Sequence, residues 1–178
     1  MLEAAKYSAF ESLRDGRTIE IRALKAEDPA GLIAVHRRSS AQSLYGRFFG
    51  FKPHFSDQEI AYFLNVDFLN HVALIAEIKE GGRPVIVGGG RYVVHESGKA
   101  EIALAVVDEY QGQGIGGALM RHLAGIAHDA GLKELTAEVL PDNIISMLRV
   151  FEKSGLRFSI KRESIEREPQ VVHITLQL

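Results

Sequence analysis

The chain contains no cysteine. That excludes disulfides, thiolate metal ligands and a cysteine nucleophile. It is compatible with a reducing compartment. An excess of charge is also missing: the formal net charge is -2 at pH 7. Without a basic surplus, a general nucleic-acid binder is a poor expectation. No uncharged apolar run approaches the about 18 residues that a membrane helix needs. The opening MLEAAKYSAFESLRDG has no basic-then-apolar leader pattern. Histidine stands at 36, 54, 71, 95, 122, 128 and 173, with no pair four apart on a predicted helix, so a zinc motif is not expected. What is present is ordinary globular composition, 46% hydrophobic and 25% charged over 178 residues. That suffices for one domain with a real core. The expectation is a soluble cytoplasmic protein without metal, membrane or nucleic acid.

Local pattern then divides the chain. Residues 1–16 read as a lead-in, a linker, a small docking helix or a loosely held terminus, ending in the turn Asp15-Gly16. RTIEIRAL, from Arg17 to Leu24, alternates Ile19, Ile21 and Ala23 against Glu20 and Arg22, a strand with one buried face. Glu27-Asp28-Pro29 opens a helix to about Arg38, because acidic residues and proline suit a first helical turn. Ser39 to Phe55 is less regular and carries Tyr45, Phe48, Phe49, Phe51 and Phe55, read as core packing or as a cleft wall. Ser56 with Glu59 forms a capping box ahead of a helix to about Leu64. HVALIAEI and PVIVGGGRYVV are strands around the turn Glu80 to Arg83. Gly88-Gly89-Gly90 inside the second marks a bulge, or close approach of a backbone or ligand. Glu101 to Val107 is a third antiparallel strand. Beyond it lie a helix from Ile115 stopped at Gly131, a strand from Glu134 to Leu140, a helix from Ile144 to Ser154 closed by Gly155, and strands at Arg157 to Ile160 and Val171 to Leu178. No repeat or second domain boundary interrupts residues 17–178.

The densest signal is Gln111-Gly112-Gln113-Gly114-Ile115-Gly116, between a strand and a helix start. Glycines let a backbone come near a ligand. The first N–H groups of a helix lack helical partners, and the helix dipole favours an anion there. Alone, the pattern is either a flexible turn or a phosphate cradle. It is not a P-loop, since no Lys-Ser/Thr follows, and it does not follow the first strand of a dinucleotide-binding unit.

Gln111-x-x-Gly114-x-Gly116 resembles the Q/R-x-x-G-x-G/A signature of GCN5-related N-acetyltransferases. Asn143, Ser146, Leu148, Phe151, Gly155 and Leu156 resemble that family's second segment, N-x-x-A-x-x-L-Y-x-x-x-G-F. The resemblance spans roughly residues 17–178. It implies a mixed, mostly antiparallel sheet of six to seven strands with helices on both faces, an α/β (α+β) fold. It further implies that the backbone amides of Gln111, Gly112, Gln113, Gly114, Ile115 and Gly116 bind the pyrophosphate of acetyl-CoA. The strand end at Ala105, Val106 and Val107 would meet the pantetheine arm, Asn143 would help hold the thioester end, and Phe151 would pack beside the arm. Glu101, in Lys99-Ala100-Glu101-Ile102, resembles the family's general base. A lysine amine with a pKa near 10.4 is protonated at neutral pH and needs such a group. Many members have Tyr where Phe151 stands, to protonate the leaving thiolate; phenylalanine has no proton to give. Either the thiolate leaves unassisted, since a thiol with a pKa near 8.5 is a tolerable leaving group, or another group serves.

A narrower likeness concerns the acceptor. Leu13-Arg14-Asp15-Gly16, Ser43-Leu44-Tyr45-Gly46-Arg47-Phe48-Phe49 and Val66-Asp67 are similar to the acetyltransferase domain of bacterial protein-lysine acetyltransferases, which modify acyl-CoA synthetases. Such relatives often carry a further large domain, for which 178 residues leave no room. The expected partners are therefore acetyl-CoA and a protein bearing a lysine. The alternatives are a non-catalytic acyl-CoA sensor and an enzyme for small amines or protein N-termini.

Overall fold

The structure is a computed structural model that describes residues 3–48, 54–162 and 170–178. The predicted aromatic positions Phe49 and Phe51 lie outside the described residues, as does the polar stretch 163–169. Eight strands among the described residues form one sheet: β1 (Ser8–Ser12), β2 (Thr18–Ala23), β3 (His71–Glu80), β4 (Arg83–Glu96), β5 (Lys99–Val106), β6 (Glu134–Val139), β7 (Arg157–Arg162) and β8 (Val172–Gln177). Their order is β1-β2-β3-β4-β5-β6-β8-β7. Every neighbouring pair is antiparallel except β5–β6.

The extra strand beyond the expected six to seven is β1, in the segment read as a lead-in. It pairs with β2 at the sheet edge, and Phe10 points outward, 71% exposed. Side chains tie it down: Glu11 accepts from Arg121 at 2.6 Å and meets His122 Nε2 at 2.7 Å. The Tyr7 hydroxyl meets the other ring nitrogen of His122. A strand held by one short ladder and distant ion pairs leaves little apolar alternation to read.

The helices are α1 (Pro29–Arg37), α2 (Ala41–Phe48), α3 (Asp57–Leu64), α4 (Ile115–Asp129) and α5 (Ile144–Ser154). α2 lies where the sequence looked irregular. α3 has the expected capping box: Glu59 N–H donates to Ser56 Oγ at 3.3 Å, and Ser56 N–H to Glu59 at 2.9 Å. α1 starts beside a buried salt-bridge knot. Arg22 donates to both oxygens of Asp28 at 2.9 Å and to Glu77 at 2.8 Å. Burial alone would raise the Asp28 carboxyl, but Arg22 and the Lys25 N–H outweigh it and hold it below the usual carboxylate value. Cutting one partner would strand a buried charge.

Alternation sorts the sheet into two faces. On one, α4 packs Ile115, Ala118, Leu119, Leu123 and Ala127, all buried, as their helical spacing predicts. Completely burying one such leucine stabilises by about 1.5–3 kcal/mol. The glycine run in β4 belongs partly to this contact. A Cβ on Gly90 would collide with Leu104 Cδ2 and stand 2.8 Å from Leu123 Cδ1. A Cβ on Gly88 would stand 3.0 Å from the Ala105 carbonyl oxygen. The ladder also shifts register beside Ala76 and Glu77 of β3. Bulge and close approach therefore both occur. The opposite face, with Ala73, Ile75, Gly89, Arg91, Ala103 and Ala105, carries a cleft under residues from α1, α2 and α3.

Candidate active site

β5 is the strand on which everything meets. It pairs with β6 only at Lys99↔Glu134, Ala100↔Leu135 and Glu101↔Thr136. Past Glu101 the two parallel strands part and leave a gap. On its other side β5 stays paired with β4 as far as Gly88↔Val106. Backbone direction follows from one bond: Val107 N–H donates to the Val87 carbonyl at 2.9 Å. Hydrogen-bonded pairs alternate in an antiparallel ladder. Ala103, Ala105 and Val107 therefore turn their backbone groups toward β4, while Leu104 and Val106 turn theirs into the gap. Of the three predicted strand-end positions, Val106 thus has backbone to offer a ligand. Ala105 instead lends its side chain to the cleft floor.

The gap opens onto the glycine turn. Gly112 and Gly114 have φ of +75° and +101°, a region that costs other L-residues energy. Gly114 is also the residue just before α4, and no side chain caps the helix there. Its carbonyl accepts from Ala118 N–H at 3.0 Å. The N–H groups of Ile115, Gly116 and Gly117 therefore start the helix without helical partners, as an anion cradle requires. Gly116 has another reason to lack a side chain: a Cβ there would stand 3.3 Å from Val150 Cγ2 on α5. Two of these glycines shape the turn, and one lets two helices approach.

The glutamines fix the cradle from outside. Gln111 Nε2 donates to the Val106 carbonyl at 3.0 Å and to Ser43 Oγ at 3.2 Å. Gln113 Nε2 donates to the Glu109 carbonyl at 2.7 Å, and its oxygen accepts from Arg17. Asp108 accepts from Ser40 N–H at 3.2 Å, joining the start of α2 to the turn. Burial would raise the Asp108 carboxyl, but hydrogen bonds from Ser40 and Ser43 hold it below the ordinary value. Tyr110 is buried and donates to Glu80 at 2.7 Å. Both glutamine side chains are engaged within the protein, which leaves the backbone to meet a ligand.

Glu101 stands where β5 leaves β6, and its side chain is exposed rather than partly buried. It lies on the cleft face, paired with Val93 of β4. The cleft holds about 90 Å³ and is lined by Val35, Phe55, Phe63, Ala105, Arg47 and Arg91 among others. Burial pushes the Arg47 guanidinium down, and the Glu101 carboxylate acts against that. Arg91 is pushed down to about 10 by burial and by the Arg47 charge. His71 is held below its ordinary value, first by burial and then by Arg91. Arg91 and His71 are functional candidates that reading the sequence for motifs missed, and Arg47 stands inside the Ser43–Phe49 motif, which assigned it no role. One signal was available: an arginine directly after three glycines in an apolar strand.

Asn143 precedes α5, half-buried, without a side-chain bond to the helix start. Phe151 differs from expectation. It is 0% exposed and packs 6.0 Å from the Phe158 ring, centroid to centroid. It is a core residue with no surface to give a cofactor arm, because its helix turns that face toward the sheet. Tyr45 and Phe48 fall within α2, and among the described side chains of that group Phe55 lines the cleft wall. Among the described residues, no helix is long and apolar enough to cross a membrane.

Known proteins share this architecture. The structure is similar to the GNAT domain of S. lividans PAT, with a TM-score of 0.83 and 32% identity over 96% of this chain and 97% of that one. The sequence is 33% identical over 126 residues to Acetyltransferase PA5475 of Pseudomonas aeruginosa, 70% of this chain and 68% of that protein. It is also 33% identical over 119 residues to Acetyltransferase Pat of Mycolicibacterium smegmatis, where the match spans 65% of this chain but 34% of the longer protein. The family model described as "Acetyltransferase (GNAT) family" matches residues 39–156. With two thirds of its length matched and the strand gap, glycine turn and helix start in order, the chain belongs to the acetyltransferase (GNAT) family.

Proposed function

We propose that this acetyltransferase moves an acetyl group from acetyl-CoA to an amine, most readily the side chain of a lysine in a protein. The observation that carries the reading is the position of β5 between two openings. On one side lies a gap that Leu104 and Val106 face with their backbone groups. On the other lies a cleft floored by Ala103 and Ala105. A donor in the gap and an acceptor in the cleft would meet at the strand edge.

The residues present fit acetyl-CoA. Two glycines with positive φ and three unpartnered helix-start N–H groups suit a pyrophosphate. Outward-facing strand backbone suits the amide-bearing pantetheine arm. Bound there, acetyl-CoA supplies an activated acyl group. Glu101 takes one proton from the acceptor ammonium, directly or through one water, and so frees the amine that attacks. The amine nitrogen bonds to the acyl carbon, its second proton passes to water, and the carbon–sulfur bond breaks with sulfur leaving as thiolate. The N–H of Val106 or Leu104 is suited to the oxygen that gains charge. Phe151 offers no hydroxyl to protonate the sulfur, and a thiol with a pKa near 8.5 is a tolerable leaving group without one.

The test is incubation of the protein with acetyl-CoA or propionyl-CoA, a purified acyl-CoA synthetase and a cell lysate, reading modified lysines by mass spectrometry. Acetylated protein lysines that disappear with Glu101→Gln support the reading. Acetylation confined to free small amines would replace the acceptor. Acetyl-CoA binding with no transfer to any amine would make the chain a sensor.

A further inference from the structure

Arg91 has no carboxylate partner among the described residues, although it is half-buried in an apolar cleft. Its hydrogen bonds both leave from Nη1, at 3.0 Å to His71 Nε2 and 3.4 Å to the Phe63 carbonyl. The Phe63 ring centroid lies 4.6 Å from the guanidinium carbon. A guanidinium has five N–H donors, so those on Nη2 and Nε remain. Ring stacking and a neutral histidine orient a cation, but they do not neutralise it.

The surroundings make this more than a surface arginine. Arg47 lines the same cleft, and its positive charge disfavours that of Arg91. Tyr62 acts weakly the other way, and no acid shares that role. Even so, Arg91 keeps its charge at neutral pH, because about 10 is well above 7. Among the described residues Glu101 acts on Arg47 but no acid acts on Arg91, so an entering anion relieves the cost of the Arg91 charge in a partly dehydrated cleft. The His71 ring is arranged to present Arg91. Its Nε2 lies 3.0 Å from Arg91 Nη1, and an unprotonated Nε2 accepts from that donor.

Position supplies the rest. Arg91 pairs with Ala103, one pair along from Gly89↔Ala105 and from Val93↔Glu101 with respect to the side chains of that face. Diagonal neighbours on one sheet face lie about 7–8 Å apart. Arg91 is therefore within side-chain reach of an amine served by Glu101. Resting on the acetyl-transfer reading above, we propose that Arg91 selects an acceptor whose amine is accompanied by a carboxylate. That carboxylate is either an acidic residue beside the target lysine or the α-carboxylate of a free amino acid. Arginine suits this task because its planar fork matches a carboxylate in two places.

The experiment uses paired acceptors differing by one charge. The first pair is a lysine peptide with Asp on each side of the lysine and the same peptide with Asn. The second is Nα-acetyl-lysine and its C-terminal amide. The parent, Arg91→Gln and Arg91→Lys are compared by steady-state kinetics and by calorimetric binding of each acceptor, with thermal melting to check the fold. The parent should prefer the charged member of one pair by tenfold or more, mainly through KM, and the pair that responds identifies the source of the carboxylate. Arg91→Gln should abolish the preference, and Arg91→Lys should keep part of it. An equal response to both members of both pairs, or an undiminished preference in Arg91→Gln, overturns the proposal. If the parent transfers acetyl to nothing, the acetyl-transfer reading fails, and the binding measurements still decide whether Arg91 reads a carboxylate.

Discussion

The two sides of β5 are built from different materials. The gap side is made of backbone: a strand edge past Glu101, two left-handed glycines and the first amides of α4. Its side chains, Gln111 and Gln113, are bonded to the protein's own carbonyls and hold the turn. The cleft side is made of side chains from α1, α2, α3, β3 and β4, with Arg47 and Arg91 as its charges. A donor common to a whole family needs features that any sequence can supply through its backbone. An acceptor is particular, and side chains are what distinguish one acceptor from another.

That contrast can be broken or sharpened by substitution. The largest effect should come from Glu101→Gln, on the cleft face where β5 leaves β6. General-base removal lowers turnover by about 100-fold or more, while calorimetry should find acetyl-CoA affinity unchanged. Comparable turnover would leave β5 without its chemical role. Gly90→Val tests the shared scaffold. It drives a branched side chain into Leu104 and Leu123 and should destabilise by about 1–3 kcal/mol, read as a midpoint shift in urea. Both sides should then suffer together, and a variant as stable as the parent would contradict the packing of α4 on β4.

Gly114→Ala strikes the gap side alone. At φ +101° an alanine is strained by about 1–2 kcal/mol, so acetyl-CoA should bind about tenfold more weakly while acceptor affinity holds. Weakened acceptor binding of the same size would erase the distinction between the sides. Gln111→Ala should act in the same direction and less. It removes the bond to the Val106 carbonyl, a loss of about 0.5–1.5 kcal/mol, visible as a severalfold rise in KM for acetyl-CoA.

The smallest effect concerns the cleft. His71 is held below the ordinary histidine value by burial and by Arg91. Between that lowered value and about 6.5 the unfolded chain binds more protons than the folded one, so stability rises with pH across that window. The contribution is complete above about 6.5 and is lost as pH falls toward the folded value. Thermal melting of the parent should therefore decline more between pH 7.5 and 5 than that of His71→Gln. Parallel declines would remove histidine from the account of how Arg91 is presented.

Most strands and helices were legible because one face of each is apolar at the right period. Ile19 and Ile21 alternate, and Leu119 and Leu123 recur at helical spacing; all four are buried. β1 and α2 were not legible. β1 owes its place to Glu11 reaching Arg121 and His122 across more than a hundred residues of sequence. α2 is fastened through Ser40 to Asp108 and through Ser43 to Gln111. Neither tie leaves a periodic trace. Phe151 shows the converse: a motif position suggested a cofactor contact, and packing against Phe158 placed it in the core.

By itself the sequence determined the family, the order of the elements and the glycine turn, since backbone geometry at Gly112 and Gly114 is a local matter of φ. The tertiary structure decided which backbone groups of β5 face the gap, because that depends on its ladder with β4. It also decided that Arg91 and Arg47 share one cleft, with His71 bonded to Arg91 and Glu101 on the same sheet face. Charges that far apart in sequence act on one another only after the sheet has set their register and the core has excluded the water that would screen them.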